Sequence, residues 1–96
     1  MATYFMFFRF TQKGLEHIQE SPERIDALKQ QFHKANAEIK AYYGLLGQYD
    51  TVFLVDSPND ETIARLALHI GRAGNGTCET HRAFNEDEYR KITRGV

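Results

Sequence analysis

Four histidines, one cysteine and a Tyr-Asp pair are the residues of this 96-residue chain best equipped for chemistry. His17, His33, His69 and His81 invite a metal site, yet no two stand four apart on a helix and none keeps Cys/His-finger spacing. Cys78 and His81 are three apart in a predicted strand, which sends their side chains to opposite faces. A single cysteine excludes an intramolecular disulfide and a multi-Cys zinc centre. No metal and no cofactor are expected. His33 lies beside one helical stripe and His69 well off another, so both are read as solvent-facing. His17 and His81 remain as histidines able to line a pocket.

Tyr49 and Asp50 have two readings. As function, the tyrosine donates a hydrogen bond and the aspartate acts as base or orienter at the end of a barrel. As structure, Asp50 accepts backbone N–H groups of a hairpin and Tyr49 caps the core. Arg9, Lys40, Glu79 and Arg82 are charges within strands that otherwise read as buried, so they must form cross-strand ion pairs or hold a polar ligand. Arg9 and Arg82 are the best candidates for an anionic group. The candidate ligand-binding set is therefore Tyr49, Asp50, Arg9, His17, His81 and Arg82. No nucleophile–base pair names a catalytic residue, and whether the chain is an enzyme stays open.

The elements that must position these groups follow from periodicity. Ala2–Thr11 alternates as an aromatic-rich strand, and Gln12–Glu20 is an inserted loop or single helical turn. Ser21-Pro22-Glu23 predicts a helix start with Ser21 as cap, and Ile25, Leu28, Phe32 and Ala35 form its core stripe. Glu38–Leu46 predicts a strand with Ile39, Ala41, Tyr43 and Leu45 on one face. Asp50–Val55 is the next strand. Ser57-Pro58-Asn59-Asp60 repeats the helix start, followed by the stripe Ile63, Leu66, Ala67, Ile70 and a stop at Gly71 and Gly74. Thr77–Phe84 is the last strand, and Asn85 with Glu88 predicts a capping box for a short tail helix carrying Tyr89 and Ile92. The order is β-α-β-β-α-β plus a tail, one domain over residues 1–96. It predicts an α+β ferredoxin-like sandwich, a four-stranded antiparallel sheet with both helices on one face.

Seven Phe and five Tyr then become an argument. Alternation points Tyr4, Met6, Phe8 and Phe10 one way and Phe5 and Phe7 the other, while Val52 and Leu54 oppose Phe53 and Val55. Two amphipathic helices cover one face, and an apolar patch on the other is unusual for a monomer. A second copy packing sheet on sheet solves this, as a homodimer or higher homo-oligomer; the alternative is that the tail helix folds over the open face.

Gly47-Gln48-Tyr49-Asp50, the strand Thr51–Val55 and Ser57-Pro58-Asn59-Asp60-Glu61 resemble the GYD domain family. Thr11 and Gly14 before Ile18, Ser21-Pro22 with Arg24, and Gly74-Asn75 leading to Glu79-Thr80 and Arg82-Ala83-Phe84 extend the likeness over essentially the whole chain. The resemblance implies a dimeric α+β barrel and no specific activity.

Composition excludes several classes. Net charge is −1, and Asp50 and Asp56 would repel phosphate, so no nucleic-acid partner is expected. Gly71, Gly74 and Gly76 follow a helix, the wrong polarity for a phosphate loop. Arg9 interrupts the opening apolar run and no basic segment precedes it, so neither export nor membrane insertion is expected, and the location is read as cytoplasmic. The expectation is a homo-oligomeric small-molecule-binding protein. A non-catalytic assembly or regulatory protein is the alternative, and a cofactor-free monooxygenase-like enzyme a further one, by fold analogy.

Overall fold

Nine residues of alternating pattern make Ala2–Phe10 the central strand, β1. The computed structural model describes residues 1–96. After β1 come α1 (Gln12–Glu16), a 3-10 turn (Ile18–Glu20), α2 (Ser21–Lys34), β2 (Glu38–Gly44), β3 (Thr51–Ser57), α3 (Asp60–Ala73), β4 (Gly76–Ala83) and α4 (Glu86–Arg94). The sheet order is β2-β3-β1-β4 with every pair antiparallel, as the β-α-β-β-α-β order requires. The fold is the α+β sandwich read from the sequence.

The core lies between the sheet and the helices. Tyr4, Met6 and Phe8 of β1 and Phe53 and Val55 of β3 meet Phe32 of α2 and Ile63, Leu66 and Ile70 of α3. Each such side chain contributes roughly 1.5–3 kcal/mol by leaving water. The Tyr4 hydroxyl hydrogen-bonds the Asp60 carboxylate at the start of α3. Burial, with that carboxylate beside it, pushes the phenol up to about 12.

Both Ser-Pro helix starts differ from the expectation. The 3-10 turn runs straight into α2, so Ser21 is already helical and caps nothing. Ser57 is the last residue of β3, and the side chain of Asn59 caps α3 by accepting the Thr62 N–H. The tail helix has the predicted capping box between Asn85 and Glu88. On β2 a register shift between Ile39 and Ala41 interrupts simple alternation. Ile39 faces Val55 and Tyr42 faces Phe53, both on the core side, while Ala41 and Tyr43 fall opposite Leu54 and Val52 on the other. The strand ends at Gly44, leaving Leu45 and Leu46 in the connection. A bulge of this kind adds one residue and so flips every later side chain.

Arg9, Lys40, Glu79 and Arg82 are exposed, not buried. Lys40 meets Glu38 on its own strand rather than across the sheet. α4 leaves Tyr89 and Ile92 in solvent, buries no residue and contacts the other elements only sparsely, so it does not cover the open face.

The inserted segment docks on the turn between α3 and β4. Thr11 caps α1 by accepting the Gly14 N–H, and its own N–H and hydroxyl donate to the carbonyls of Asn75 and Gly74. Lys13 reaches the Ala73 carbonyl at 2.9 Å. A Cβ at Gly14 would lie 2.0 Å from the Asn75 carbonyl oxygen, so only glycine permits this approach. Gly14→Ala is expected to destabilise the fold by about 1–3 kcal/mol, seen as a lower urea midpoint at unchanged slope. Gly71→Ala, whose methyl meets nothing within 4 Å, should be neutral or stabilising by up to about 1 kcal/mol.

Candidate functional site

Alternation along β1 and β4 gathers a polar cluster on the open face. Phe7 stands opposite Glu79, and Phe5 opposite His81. Tyr49, just before β3, lays its ring 4.9 Å from that of Phe7 and donates its hydroxyl to Glu79 Oε2 at 2.6 Å. His81 Nε2 lies 2.6 Å from the same oxygen and, facing an ionised carboxylate, must be the donor. The imidazole also stands edge-on to Phe7, at 5.5 Å. Arg9 completes the group, its guanidinium 5.2 Å from the centre of the Tyr49 ring.

The electrostatics follow from these contacts. The Tyr49 and His81 hydrogen bonds hold the Glu79 carboxyl below the usual carboxylate range. The same bond to Glu79 raises the Tyr49 phenol. Chemically the arrangement is a clamp: one carboxylate takes both donors and ties the approach to β3 across β1 to β4.

Asp50 turns to another task. Its carboxylate accepts the Phe10 N–H at 2.7 Å, its N–H donates to the Phe8 carbonyl, and its carbonyl accepts from Leu45. It thus extends the β1–β3 ladder by one step and closes the β2–β3 connection. The acceptor contact is to β1, not to the hairpin's own backbone, and Tyr49 lies on the open face rather than over the core. Arg82 sits at the far end of β4, over the rings of Tyr4 and Phe84 and 3.5 Å from Glu88, where it ties α4 to the sheet. His17 is exposed beside Glu20. Arg9, Tyr49 and His81 are therefore brought together, while Asp50, His17 and Arg82 stand apart from them.

On the other side, α2 packs mainly over β2 and α3 over β3 and β4, leaving a cleft between them. Its inner chamber is about 230 Å³, lined by Phe8, Phe10, Ile25, Leu28, Phe53 and Ile70 among others, with Arg24 and His69 at the wall. An outer chamber of about 590 Å³ shares Phe10, Ile25 and Tyr42 with it and adds Asp26, Asp50 and Leu46. His69 thus lines a chamber, against the expectation that it faces only solvent, and His17 lines neither of the two. Arg24, on this wall, is not among the candidate residues expected from the sequence. Its position one before Ile25 and four before Leu28, on the inner flank of the stripe, was the available signal. Glu79 was noticed only as a charge needing a partner. No group of three or more His, Cys, Asp or Glu is placed to hold a metal ion. No helix is long and apolar enough to cross a membrane.

The model of the GYD domain matches residues 4–93 of this chain, nearly the whole of the sheet and helices just described. The chain belongs to the GYD domain family. Among relatives, a Thermus thermophilus protein named glutamine synthetase and cystathionine beta-lyase binding protein is 32% identical over 85 residues, covering 88% of this chain and 90% of its own. No solved structure matches at a significant level. Within this GYD domain the Gly-x-Tyr-Asp segment, Gly47 to Asp50, is the point at which the open-face clamp and the cleft meet in sequence, Tyr49 serving one and Asp50 the other.

The depressed Glu79 carboxyl has a defined pH signature. Its contribution to stability is present above the ordinary carboxylate range and is lost as pH falls through the lowered folded-state pKa. Carboxyl-carbon NMR of Glu79 should titrate below the usual glutamate midpoint, and Tyr49→Phe should move that midpoint upward. An unchanged midpoint in Tyr49→Phe would show that the phenol does not hold the carboxylate.

Proposed function

We propose that this GYD domain is a homo-oligomeric binding protein whose open sheet face is taken by a second copy of itself. The observation that carries this is the apolar centre of that face. Phe5, Phe7, Val52 and Leu54 lie side by side on β1 and β3, with Ala41 and Tyr43 beside them. Phe5 is 38% and Tyr43 62% exposed, and the tail helix stands clear. The polar groups around this centre are already engaged within the chain. Tyr49 and His81 are held on Glu79, Arg9 lies over Tyr49, Thr3 donates to Asp56, and Glu38 meets Lys40. A face with an apolar centre and polar groups that already have contacts within the chain complements another of its own kind better than a highly charged surface. Stacked sheets in an isologous pair would form the dimeric α+β barrel.

The protein partners of the dimer are read from the relative. Its name states that it binds glutamine synthetase and cystathionine beta-lyase, and the likeness extends over most of both chains. We assign this chain the same class of role, binding to metabolic enzymes of these kinds. A second reading, small-molecule binding in the cleft between sheet and helices, draws on the two chambers; it and the self-association use opposite faces of the sheet.

Light scattering at tens of micromolar should give a dimer or a multiple of it, and Phe7→Glu should shift the mass to a folded monomer with unchanged far-UV circular dichroism. A wild-type monomer would overturn the self-association. The immobilised dimer should retain glutamine synthetase or cystathionine beta-lyase from its own host, with purified enzyme reproducing the capture. Absence of binding to both enzymes would overturn the partner reading and leave the dimer standing.

A further inference from the structure

We propose that the inner chamber of the cleft is a binding site for a small apolar monocarboxylate anchored by Arg24. This rests on the second reading above, that the cleft takes a small molecule. Arg24 donates through Nη1 to the His17 carbonyl at 2.9 Å, while Nη2 is buried and has no partner. The nearest carboxylate, Glu20, is 4.0 Å from Nη1, too far for a hydrogen bond, and largely exposed. A buried guanidinium nitrogen without an acceptor is costly, and an Arg fork suits a planar carboxylate, which can take two parallel N–H bonds.

The chamber around this group has the matching character. Aromatic and aliphatic side chains, Phe8, Phe10, Phe53, Leu28 and Ile70, form its body. Arg24 and His69 are the only titratable basic groups on its wall, and no Asp or Glu lines it. The acids Asp26 and Asp50 belong to the outer chamber. An anion is therefore favoured at the inner end and disfavoured at the outer one, which sets the direction in which an amphiphilic acid would lie. A volume near 230 Å³ is below that of drug-sized pockets, so the occupant is a small acid with one ring or a short chain. Gln31, Asn75 and Ser21 add neutral polar groups around the apolar wall.

The test uses phenylacetate and hexanoate against their neutral amides, phenylacetamide and hexanamide, on the intact wild-type protein. Calorimetry and ligand–protein NOEs are read together. The proposal expects the carboxylates to bind, with NOEs to Phe53 and Ile70, roughly tenfold or more tightly than the amides. Arg24→Met should remove that preference, and a matching wild-type amide-shift pattern in the core would show that the variant is folded. Equal binding of acid and amide would overturn the carboxylate anchor while leaving the cleft a small-molecule site. No binding of either pair into the millimolar range would overturn both. Because the acid–amide comparison needs no substitution, loss of folding in Arg24→Met would not rescue or sink the proposal.

Discussion

β1 is hydrogen-bonded on both edges along nearly its whole length, to β3 on one side and β4 on the other. That double pairing is the constraint on which the rest depends. A strand held on both sides cannot rotate, so its alternation is imposed on the whole sheet. Tyr4, Met6 and Phe8 are committed to the helices, and Phe5, Phe7 and Arg9 to the opposite face. The neighbours follow the register. Phe53 and Val55 join the core because they stand opposite Met6 and Tyr4, and Glu79 and His81 reach the open face because they stand opposite Phe7 and Phe5. The cleft and the clamp are thus two sides of one partition.

The two faces solve the problem of buried polarity differently. On the open face, polar groups lie close together and satisfy one another, with Glu79 as the shared acceptor. Covering such a surface leaves the Glu79 carboxylate with two donors, the condition that decides whether burial of an ion is tolerable. On the cleft side, Arg24 is only half engaged, its second nitrogen buried and unpaired. Self-complementarity suits the first face to assembly, and the unmet donor suits the second to a ligand. The Gly-x-Tyr-Asp segment joins the two, since Tyr49 bonds Glu79 on the open face and the next residue, Asp50, lines the outer chamber.

The inserted segment after β1 shapes the cleft from its end. Thr11 and Lys13 pin it to the α3–β4 turn through three carbonyls in a row, those of Ala73, Gly74 and Asn75, and Gly14 permits the close approach to the last. Pinned there, it continues through the 3-10 turn into α2, which explains why Ser21 is helical rather than a cap. Arg24, in the first turn of α2, then reaches back to the His17 carbonyl. The insertion and the helix therefore hold each other, and the outer chamber opens beside Ile18 and Pro22.

Local pattern was enough for much of this. The periodicities of Tyr4 to Phe10, of Ile25 to Ala35 and of Ile63 to Ile70 each have a single solution once one face must be apolar. The element order admits few topologies, so the antiparallel sheet and the surplus apolar face followed from the chain alone. Four things did not. The Ile39/Ala41 bulge depends on where β2 meets β3, and its partners Val55 and Leu54 lie beyond the connection between the two strands. The exposure of Glu79 and Arg82 depends on strand position, since β4 lies at a sheet edge, and that of Arg9 on its place near the end of β1. The gathering of Arg9, Tyr49, Glu79 and His81 needs three strands in register, and the buried, unpaired nitrogen of Arg24 needs the insertion to fold back on α2. Sequence alone determined which residues must leave water, because hydrophobic periodicity is a local property. Only tertiary structure decided which polar groups meet, because hydrogen bonds require partners within about 3 Å and the chain brings distant residues that close only through its packing.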